Sequence, residues 1–363
     1  MNNEADMIRD NVSSDLSTDK VKSLLSLDDE AEKKQLFAWA RETRDAVIGN
    51  KVYLRGLIEL SNRCSKDCYY CGIRSSNKNV IRYNLPEKEV LKAAQFAYDK
   101  RYGSIVIQSG ECTGKAFTEK ISRLLEKIHS LTNNKLHITL SCGEQSLEVY
   151  QQWFDSGAQR YLLRIEASRE NLYHKLHPDD ARHSFSKRLL AIEALRHIGF
   201  QTGTGIMIGL PFQTIDDLVA DLFFFKDMGI HMVGMGPYIE HPDTPLAQYT
   251  DVMLPLKERF ELTLKMIAIL RLMLPAINIA STTALQTIDK MGREKGIAAG
   301  ANVIMPNITP VQYKQNYNLY NGKPCLDEEP EQCSSCIDIR VRMAGGEVAY
   351  DEWGDSKLYT PKR

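Results

Sequence analysis

The sequence predicts an α/β fold, a closed (β/α)8 TIM barrel with an N-terminal helical extension and a C-terminal cysteine-bearing extension. Eight short apolar segments alternate with amphipathic helical segments, the pattern of a parallel sheet covered by helices. The chain has 363 residues, a length typical of one such barrel. An open, doubly wound sheet shows the same alternation and is the alternative.

The charge balance excludes two classes of partner. The 46 Lys and Arg residues are offset by 47 Asp and Glu residues, so no excess positive field is available to hold nucleic acid or an anionic membrane. No apolar run reaches the roughly eighteen residues of a membrane-spanning helix. Residues 1–30 are polar and acidic, unlike a signal or transit peptide. We therefore expect a cytoplasmic protein with neither nucleic-acid nor membrane partners.

Each element is predicted from its periodicity. A charged helical pattern at 25–49 indicates an N-terminal helical extension over residues 1–50, with an apolar stripe formed by Leu36, Trp39, Ala40 and Val47. Within a barrel at 51–306, strands are predicted at 52–60, 104–108, 136–141, 160–165, 202–208, 232–235, 277–281 and 302–305. Helices are predicted at 87–100, 119–130, 147–156, 187–197, 215–228, 256–272 and 284–299. Residues 307–363 form an extension that closes the barrel.

Local signals indicate several helix ends. Thr214 is expected to cap the helix at 215–228. His174 and His177 lack a third ligand at metal-site spacing and are expected at the surface, whereas His241 is expected in a loop at the barrel mouth. Four glycines follow predicted helices and are expected to be left-handed: Gly103, Gly157, Gly199 and Gly229.

Three cysteines follow the first strand, at the rim where barrel active sites lie. Cys64, Cys68 and Cys71 have CxxxCxxC spacing, and the next Cys or His residues are Cys112 and His129. A zinc site usually needs four protein ligands, and a four-iron cluster usually has four cysteines. Three thiolates fit a [4Fe–4S] cluster with one iron left open. The alternative is a zinc knuckle with a distant fourth ligand.

Polar residues also follow other strands. Ser109, Gly110 and Glu111 end the second strand, and Arg160 and Arg164 flank the fourth. An arginine at a strand end can hold a carboxylate. An ordinary surface ion pair is the alternative for each of these charged residues.

The cysteine spacing is similar to the signature of the radical S-adenosylmethionine (radical SAM) enzymes. The resemblance implies that the open iron binds the amino and carboxylate groups of SAM, which is reductively cleaved to a 5′-deoxyadenosyl radical. Ser109-Gly110-Glu111 resembles the family's GGE motif, with serine in place of the first glycine. The cofactor-binding residues implied by the resemblance are Tyr70, Ser109, Gly110, Glu111, Arg164, Glu166 and Arg188.

The resemblance narrows to the HydE family of [FeFe]-hydrogenase maturases over about residues 50–336. It is carried by CYYCGIR at 68–74, QSGE at 108–111, RYLLR at 160–164, GLPFQTIDDL at 209–218, MVGMGP at 232–237, HPDTP at 241–245, TT at 282–283 and GANVIMPN at 300–307. It implies assembly of the hydrogenase diiron subcluster from a small iron- or sulfur-containing substrate. That substrate would be a mononuclear iron species carrying CO, cyanide and cysteine, supplied by the maturase HydG.

The same resemblance implies a substrate cavity, an electron donor such as flavodoxin or ferredoxin, and other hydrogenase maturases as partners. The implied cavity residues are Thr139, Arg160, Arg164, Met232, Thr282, Thr283, Tyr317 and Tyr320. Met232 could instead belong to the core, and the two tyrosines to a helix packing face. Methylornithine synthase and a biotin-synthase-like enzyme share the cysteine loop and are alternatives, as is a non-catalytic iron–sulfur scaffold.

A second cysteine group, Cys325, Cys333 and Cys336, lies in an acidic segment that we expect to be exposed. It matches an accessory iron–sulfur cluster position found in some HydE proteins, so the resemblance implies a second cluster there. Solvent-exposed thiols without metal are the alternative. Cys112 and Cys142 have no partner spacing and are expected to be free or buried thiols.

Overall fold

The computed structural model describes residues 16–361, except for the side chains of residues 332–335. The N-terminal extension contains two helices, α1 (Thr18–Leu25) and α2 (Glu30–Val47), which begin at the capping side chains of Ser17 and Asp29. The structure therefore begins the helical region earlier than predicted and interrupts it. On the predicted stripe, Leu36 and Ala40 are buried, and Trp39 and Val47 are half-buried.

The strands form a closed parallel barrel, because β1 pairs with β2 on one side and with β8 on the other. This closure confirms the TIM barrel and rules out the open sheet. All eight predicted strands are present, with small differences at their ends. Their bounds are β1 Lys51–Ser61, β2 Ser104–Ser109, β3 His137–Ser141, β4 Arg160–Leu162, β5 Gln201–Ile208, β6 Met232–Pro237, β7 Asn278–Ser281 and β8 Val303–Ile304.

Helices follow the strands and pack outside the barrel. Their bounds are α3 Glu87–Asp99, α4 Lys115–Leu131, α5 Leu147–Asp155, α6 Glu170–Leu176, α7 Phe185–Ile198, α8 Ile215–Asp227, α9 Leu256–Met273, α10 Thr283–Ile288, α11 Gly292–Ala298, α12 Val311–Lys314 and α13 Pro330–Met343, with a 3-10 helix at Pro245–Val252. The helix predicted at 284–299 is wrong as a single element. Asp289 is extended and ends α10, and a Cβ at Gly292 would lie 2.2 Å from the Leu285 carbonyl oxygen.

The predicted left-handed glycines are confirmed at three positions and wrong at one. Gly157, Gly199 and Gly229 have φ of 105°, 117° and 55°. Near Gly103 the positive φ belongs to Arg101, at 62°. Gly103 instead allows a close approach of the chain, because a Cβ there would lie 1.7 Å from the Glu352 carbonyl oxygen.

The segment that approaches Gly103 is the C-terminal strap, residues 347–359. It begins with β9 (Glu347–Val348), which pairs with Lys51 and Val52 at the start of β1. Farther along, the Tyr359 hydroxyl donates to the Gly199 carbonyl, just before β5. The strap therefore covers the amino-terminal end of the barrel, opposite the rim that carries the cysteine loop.

Within the part of the chain that the structure describes, no helix combines the length and the apolar character needed to cross a bilayer.

Replacing Thr214 by Ala should lower the free energy of unfolding by about 1 kcal/mol. The Thr214 side chain accepts from the Asp217 amide, and the Asp217 carboxylate accepts from the Thr214 amide, so the change removes half of a capping box. Chemical denaturation of both proteins would measure the loss. The control is Ser186→Ala, on the exposed face of α7. An equal loss in the free energy of unfolding from both changes would contradict the role of Thr214 as the N-cap of α8.

Candidate active site at the barrel rim

The three cysteines lie on the loop after β1, at the carboxyl-terminal rim. Cys68 is buried and Cys64 and Cys71 are half-buried. Arg82 fastens the loop, because its guanidinium donates to the carbonyls of Asn62, Ile73, Arg74 and Asn77. Burial raises the pKa of all three thiols, that of Cys68 to about 12. The loop thus favours neutral thiols unless a bound cation compensates for thiolate charge.

Two glycines let other segments press against this loop. The Gly110 amide donates to Ser61 at 2.8 Å, and a Cβ at Gly110 would lie 2.3 Å from the Arg63 carbonyl oxygen and 2.9 Å from the Cys64 Cβ. At Gly72, a Cβ would lie 2.2 Å from the Asn318 carbonyl oxygen. The predicted Ser109-Gly110-Glu111 segment therefore lies directly against the cysteine loop, as does the C-terminal extension.

Glu111 belongs to a largely buried group of four charged residues. Lys66 lies 3.2 Å from the Glu111 carboxylate and 3.0 Å from that of Glu144, and Arg188 pairs with Glu144 at 2.6 Å and with Glu111 at 3.9 Å. Burial raises the pKa of Glu111 in spite of these two cations. The structure thus brings the predicted residues Glu111 and Arg188 together, and it adds Lys66 and Glu144, which sequence reasoning missed.

Arg164 and Glu166 form a two-point ion pair after β4. Arg164 donates to the Glu166 carboxylate at 2.7 and 2.8 Å and to the carbonyls of Gly234 and Ile206 at 2.6 and 2.7 Å. Glu166 has a φ of 66°, a conformation that non-glycine residues rarely adopt. The Arg164 guanidinium is committed to these partners and holds the Glu166 carboxylate in place.

Tyr70 lies within the cysteine loop and contacts Cys68. Its hydroxyl is 3.2 Å from His177 Nε2. The surface prediction for His177 is wrong: its side chain is buried, and burial lowers its pKa to about 3. The position of His177 three residues after His174 does not indicate whether its side chain is buried. Its burial results from the packing of α6 under the cysteine loop. His174 is exposed, as expected.

Arg160 lies at the opposite end of the barrel. It begins β4, next to Thr139 in the β3–β4 register, and it donates to the Trp353 carbonyl and the Asp355 carboxylate of the C-terminal strap. Met232 is buried and accepts from Arg55 at 2.9 Å. Arg55, Thr139 and Met232 line a small cavity of about 20 Å³ inside the barrel.

The remaining predicted cavity residues lie near the rim. Thr282 immediately precedes α10, and its hydroxyl donates to the Met235 carbonyl at 3.3 Å. The Thr283 hydroxyl accepts from Arg293 at 3.0 Å. Tyr317 is buried beneath Lys323, which pairs with Glu59 of β1 at 2.5 Å. Burial raises the pKa of Tyr320 to about 12.

Sequence reasoning missed several buried charges that contact these predicted residues. The missed charges are Arg55, Glu59, Arg293 and Lys323. Arg55 and Glu59 carried a usable signal, since each is a charged residue inside an apolar strand. Arg293 and Lys323 carried none, because both lie in segments that read as ordinary polar surface.

Cys325 and Cys336 share a cavity of about 80 Å³ with Gln286, Arg293 and Arg340. The side chain of Cys333 lies outside the described residues. Cys336 is exposed, as expected for this segment. Of the two isolated cysteines, Cys142 is buried, and Cys112 is 3.2 Å from the Arg63 carbonyl oxygen.

Across residues 16–361, with the side chains of 332–335 excepted, no three Cys, His, Asp or Glu side chains converge closely enough to hold a single metal ion. A four-iron cluster does not need that convergence, because each thiolate binds a different iron.

Comparison with known proteins identifies the family. Residues 58–225 match the Radical SAM superfamily. The chain is 43% identical over 337 residues to the [FeFe] hydrogenase maturase subunit HydE of Thermotoga maritima, covering 93% of each chain. This chain belongs to the HydE family of radical SAM enzymes.

More distant relatives are similar to this chain in sequence and in fold. The 3-methylornithine synthase of Methanosarcina acetivorans is 28% identical over 308 residues, covering 84% of this chain and 83% of that protein. A crystal structure of methylornithine synthase superposes with a TM-score of 0.80 at 23% identity, covering 94% of this chain and 97% of that one. This chain thus shares its barrel fold with methylornithine synthase.

Membership in the radical SAM superfamily implies a [4Fe–4S] cluster and SAM, and the residues of the loop fit them. The three thiols lie on one loop. Gly110 packs against this loop, and because Gly110 has no Cβ it does not displace Cys64. Burial favours the neutral thiols, whereas the positive charge of bound iron would favour the thiolates.

Gly110→Ala should remove most of the iron that the protein takes up on anaerobic reconstitution, because the added methyl group would displace the cysteine loop at Arg63 and Cys64. Iron and sulfide content, together with visible absorption, would measure the loss. Cys112→Ser, beside the loop, is the control and should retain its iron. Full iron uptake by the Gly110 variant would contradict the close packing described here.

Proposed function

We propose that this enzyme reductively cleaves SAM and uses the product radical to assemble the diiron subcluster of [FeFe]-hydrogenase. The observation that carries the proposal is the 43% identity to HydE of Thermotoga maritima over 93% of the chain. The fastened loop with three cysteines and a glycine-allowed approach from β2 supports it independently.

The cluster would be held by Cys64, Cys68 and Cys71. When bound, it supplies the electron that breaks the C5′–S bond of SAM. The remaining proposed contacts to SAM come from the chain: the Ser109 and Gly110 backbone and the Glu111 carboxylate for the amino group, and Arg188 for the carboxylate. Tyr70 lies beside Cys68 and completes the wall of this site.

Glu166 is proposed to accept from the ribose hydroxyls. Arg164 donates to both of its carboxylate oxygens, so its proposed role is to orient Glu166. The two-point pair fixes the plane of the carboxylate. This ion pair is partly buried, so it also helps to exclude water from the site.

The substrate is proposed to be a small anionic species that contains iron or sulfur and carries a carboxylate, as in an iron complex with CO, cyanide and cysteine. The proposed cavity residues are Thr139, Arg160, Arg164, Met232, Thr282, Thr283, Tyr317 and Tyr320. Burial raises the pKa of both tyrosines, so each phenol stays neutral at physiological pH and can donate a hydrogen bond. Guanidinium groups and hydroxyls together suit an anion.

Cys325, Cys333 and Cys336 would hold an accessory iron–sulfur cluster. Partners would be a flavodoxin or ferredoxin and other hydrogenase maturases, in the cytoplasm, where thiols stay reduced. The proposed division is a helical extension at 1–50, the barrel at 51–306 and a closing extension at 307–363.

A second candidate is the activity of 3-methylornithine synthase, favoured by the 28% identity to the enzyme of Methanosarcina acetivorans over 84% of this chain. Incubation of the reduced, reconstituted enzyme with SAM and either lysine or the iron–cysteine complex separates the two. Consumption of the iron complex supports hydrogenase maturation, whereas conversion of lysine to methylornithine would replace it. Absence of 5′-deoxyadenosine under all conditions would favour a scaffold.

Cys68→Ala should abolish formation of 5′-deoxyadenosine from SAM, because it removes one of three thiolates from the rim cluster. Cys333→Ala should leave most of that activity, because the second cysteine group lies outside the barrel. Chromatographic measurement of 5′-deoxyadenosine and methionine would test the pair. Equal losses would contradict the different roles of the two cysteine groups.

A further inference from the structure

His177 directly follows α6 and lies under the cysteine loop. Its side chain is buried, and the Tyr69 amide donates to the Leu176 carbonyl at 2.9 Å, which fastens the end of α6 to the loop. The imidazole stacks on the Tyr173 ring, with 4.0 Å between the ring centroids. These contacts fix the position of the imidazole relative to the loop that carries Tyr70.

The surroundings of His177 determine which of its ring nitrogens carries a proton. Nδ1 is 2.8 Å from the Tyr173 carbonyl oxygen, which can only accept, so Nδ1 carries a proton and donates it. Burial, together with the nearby Arg188 cation, lowers the pKa of His177 to about 3, so the ring is neutral. Nε2 therefore has no proton and can only accept a hydrogen bond.

The Tyr70 hydroxyl has one proton and two acceptors within its reach. It lies 3.2 Å from His177 Nε2, and it contacts the Cys68 sulfur. Because Nε2 can only accept, Tyr70 is the donor in the hydrogen bond to His177. A hydroxyl that donates to His177 has no second proton for Cys68, so it presents only lone pairs to that sulfur.

We propose that His177 is a positioning residue that keeps the reduction potential of the rim cluster low, because it accepts the one hydrogen bond that Tyr70 could otherwise donate to the Cys68 thiolate. The proton stays on Tyr70 throughout. The role of Cys68 as a cluster ligand rests on the proposed function, whereas the arrangement of Tyr70 and His177 does not.

The direction of the effect follows from charge. Hydrogen bonds to the sulfurs of an iron–sulfur cluster are among the factors that set its potential. A donor at a thiolate offsets negative charge, and the reduced cluster carries one more negative charge than the oxidised cluster. Such a donor therefore stabilises the reduced cluster more and raises the potential. A low potential suits an electron that has to break the C5′–S bond of SAM.

The test measures the midpoint potential of the rim cluster in reconstituted full-length protein without SAM, by reductive titration with dithionite followed by electron paramagnetic resonance. The rim signal is identified by its absence from Cys68→Ala. His177→Leu should raise the potential by about 59 mV, a tenfold change in the ratio of reduced to oxidised cluster for one electron, because Tyr70 then donates to Cys68. His177→Gln should stay near the wild-type potential, because its amide oxygen can accept in place of Nε2.

A double-mutant cycle separates the hydrogen bond from a general structural effect. Tyr70→Phe removes the proton concerned and should leave the potential near that of the wild type. Adding His177→Leu to Tyr70→Phe should then cause no further rise. The matched control is His174→Leu, at an exposed position of α6, which should not change the potential.

Three results would each overturn the inference: an unchanged potential in His177→Leu, an equal rise in the double variant, or a lower potential in Tyr70→Phe. The last result would show that the hydroxyl already donates to Cys68 in the wild type. Iron content and melting temperature show whether each variant folds and holds its cluster. If His177→Leu loses the cluster, the potential of Tyr70→Phe still decides between the two acceptors.

The outcome is separable from that of the proposed function. The potential is measured without SAM or substrate, whereas the proposed function fails if the wild-type enzyme forms no 5′-deoxyadenosine or leaves the iron complex unconsumed. An enzyme that consumes the complex, with a His177→Leu variant at the wild-type potential, would reject the role of His177 alone. A wild-type protein that takes up no rim cluster would overturn both.

Discussion

Strand β1 hydrogen-bonds to β2 along most of its length and to β8 near its start, with Ile58 opposite Ile107 and Leu54 opposite Ile304. Because every barrel pairing is parallel, all carboxyl ends meet at one rim and all amino ends at the other. The cysteine loop after β1 and the Ser109-Gly110-Glu111 segment after β2 consequently become neighbours. The same geometry gathers the starts of the strands where the C-terminal strap covers them.

Several buried charges in this barrel are paired with a charge on another element. Glu59 of β1 pairs with Lys323 of the C-terminal extension, and Arg188 of α7 pairs with Glu144 after β3. Burying a charge is costly unless it is paired, so each pair requires its two segments to stay together. Such pairs favour one arrangement of the rim and the C-terminal extension over others, whatever their net effect on the free energy of unfolding.

The two ends of the barrel differ in chemistry. The rim has thiols, carboxylates and their cations, which suits a cluster and a zwitterionic cofactor. The interior near the floor has Arg55, Arg160 and Thr139, each with a polar atom that lacks a hydrogen-bond partner among the described residues. A reaction that generates a radical between these ends would be shielded from water and from stray hydrogen donors by the closed wall of strands.

The sequence by itself determined the eight strands, most of the helices, the capping residue Thr214 and the grouping of Cys64, Cys68 and Cys71, because periodicity and short-range spacing report local conformation and burial. It also pointed to the family. Only the tertiary structure decided that His177 is buried, that α10 and α11 are separate, and that Lys66 and Glu144 surround Glu111. It also placed Arg160 at the floor, bonded to a residue 193 positions away. Contacts of that range depend on how the barrel closes and where its extensions pack, and no local pattern in the chain encodes them.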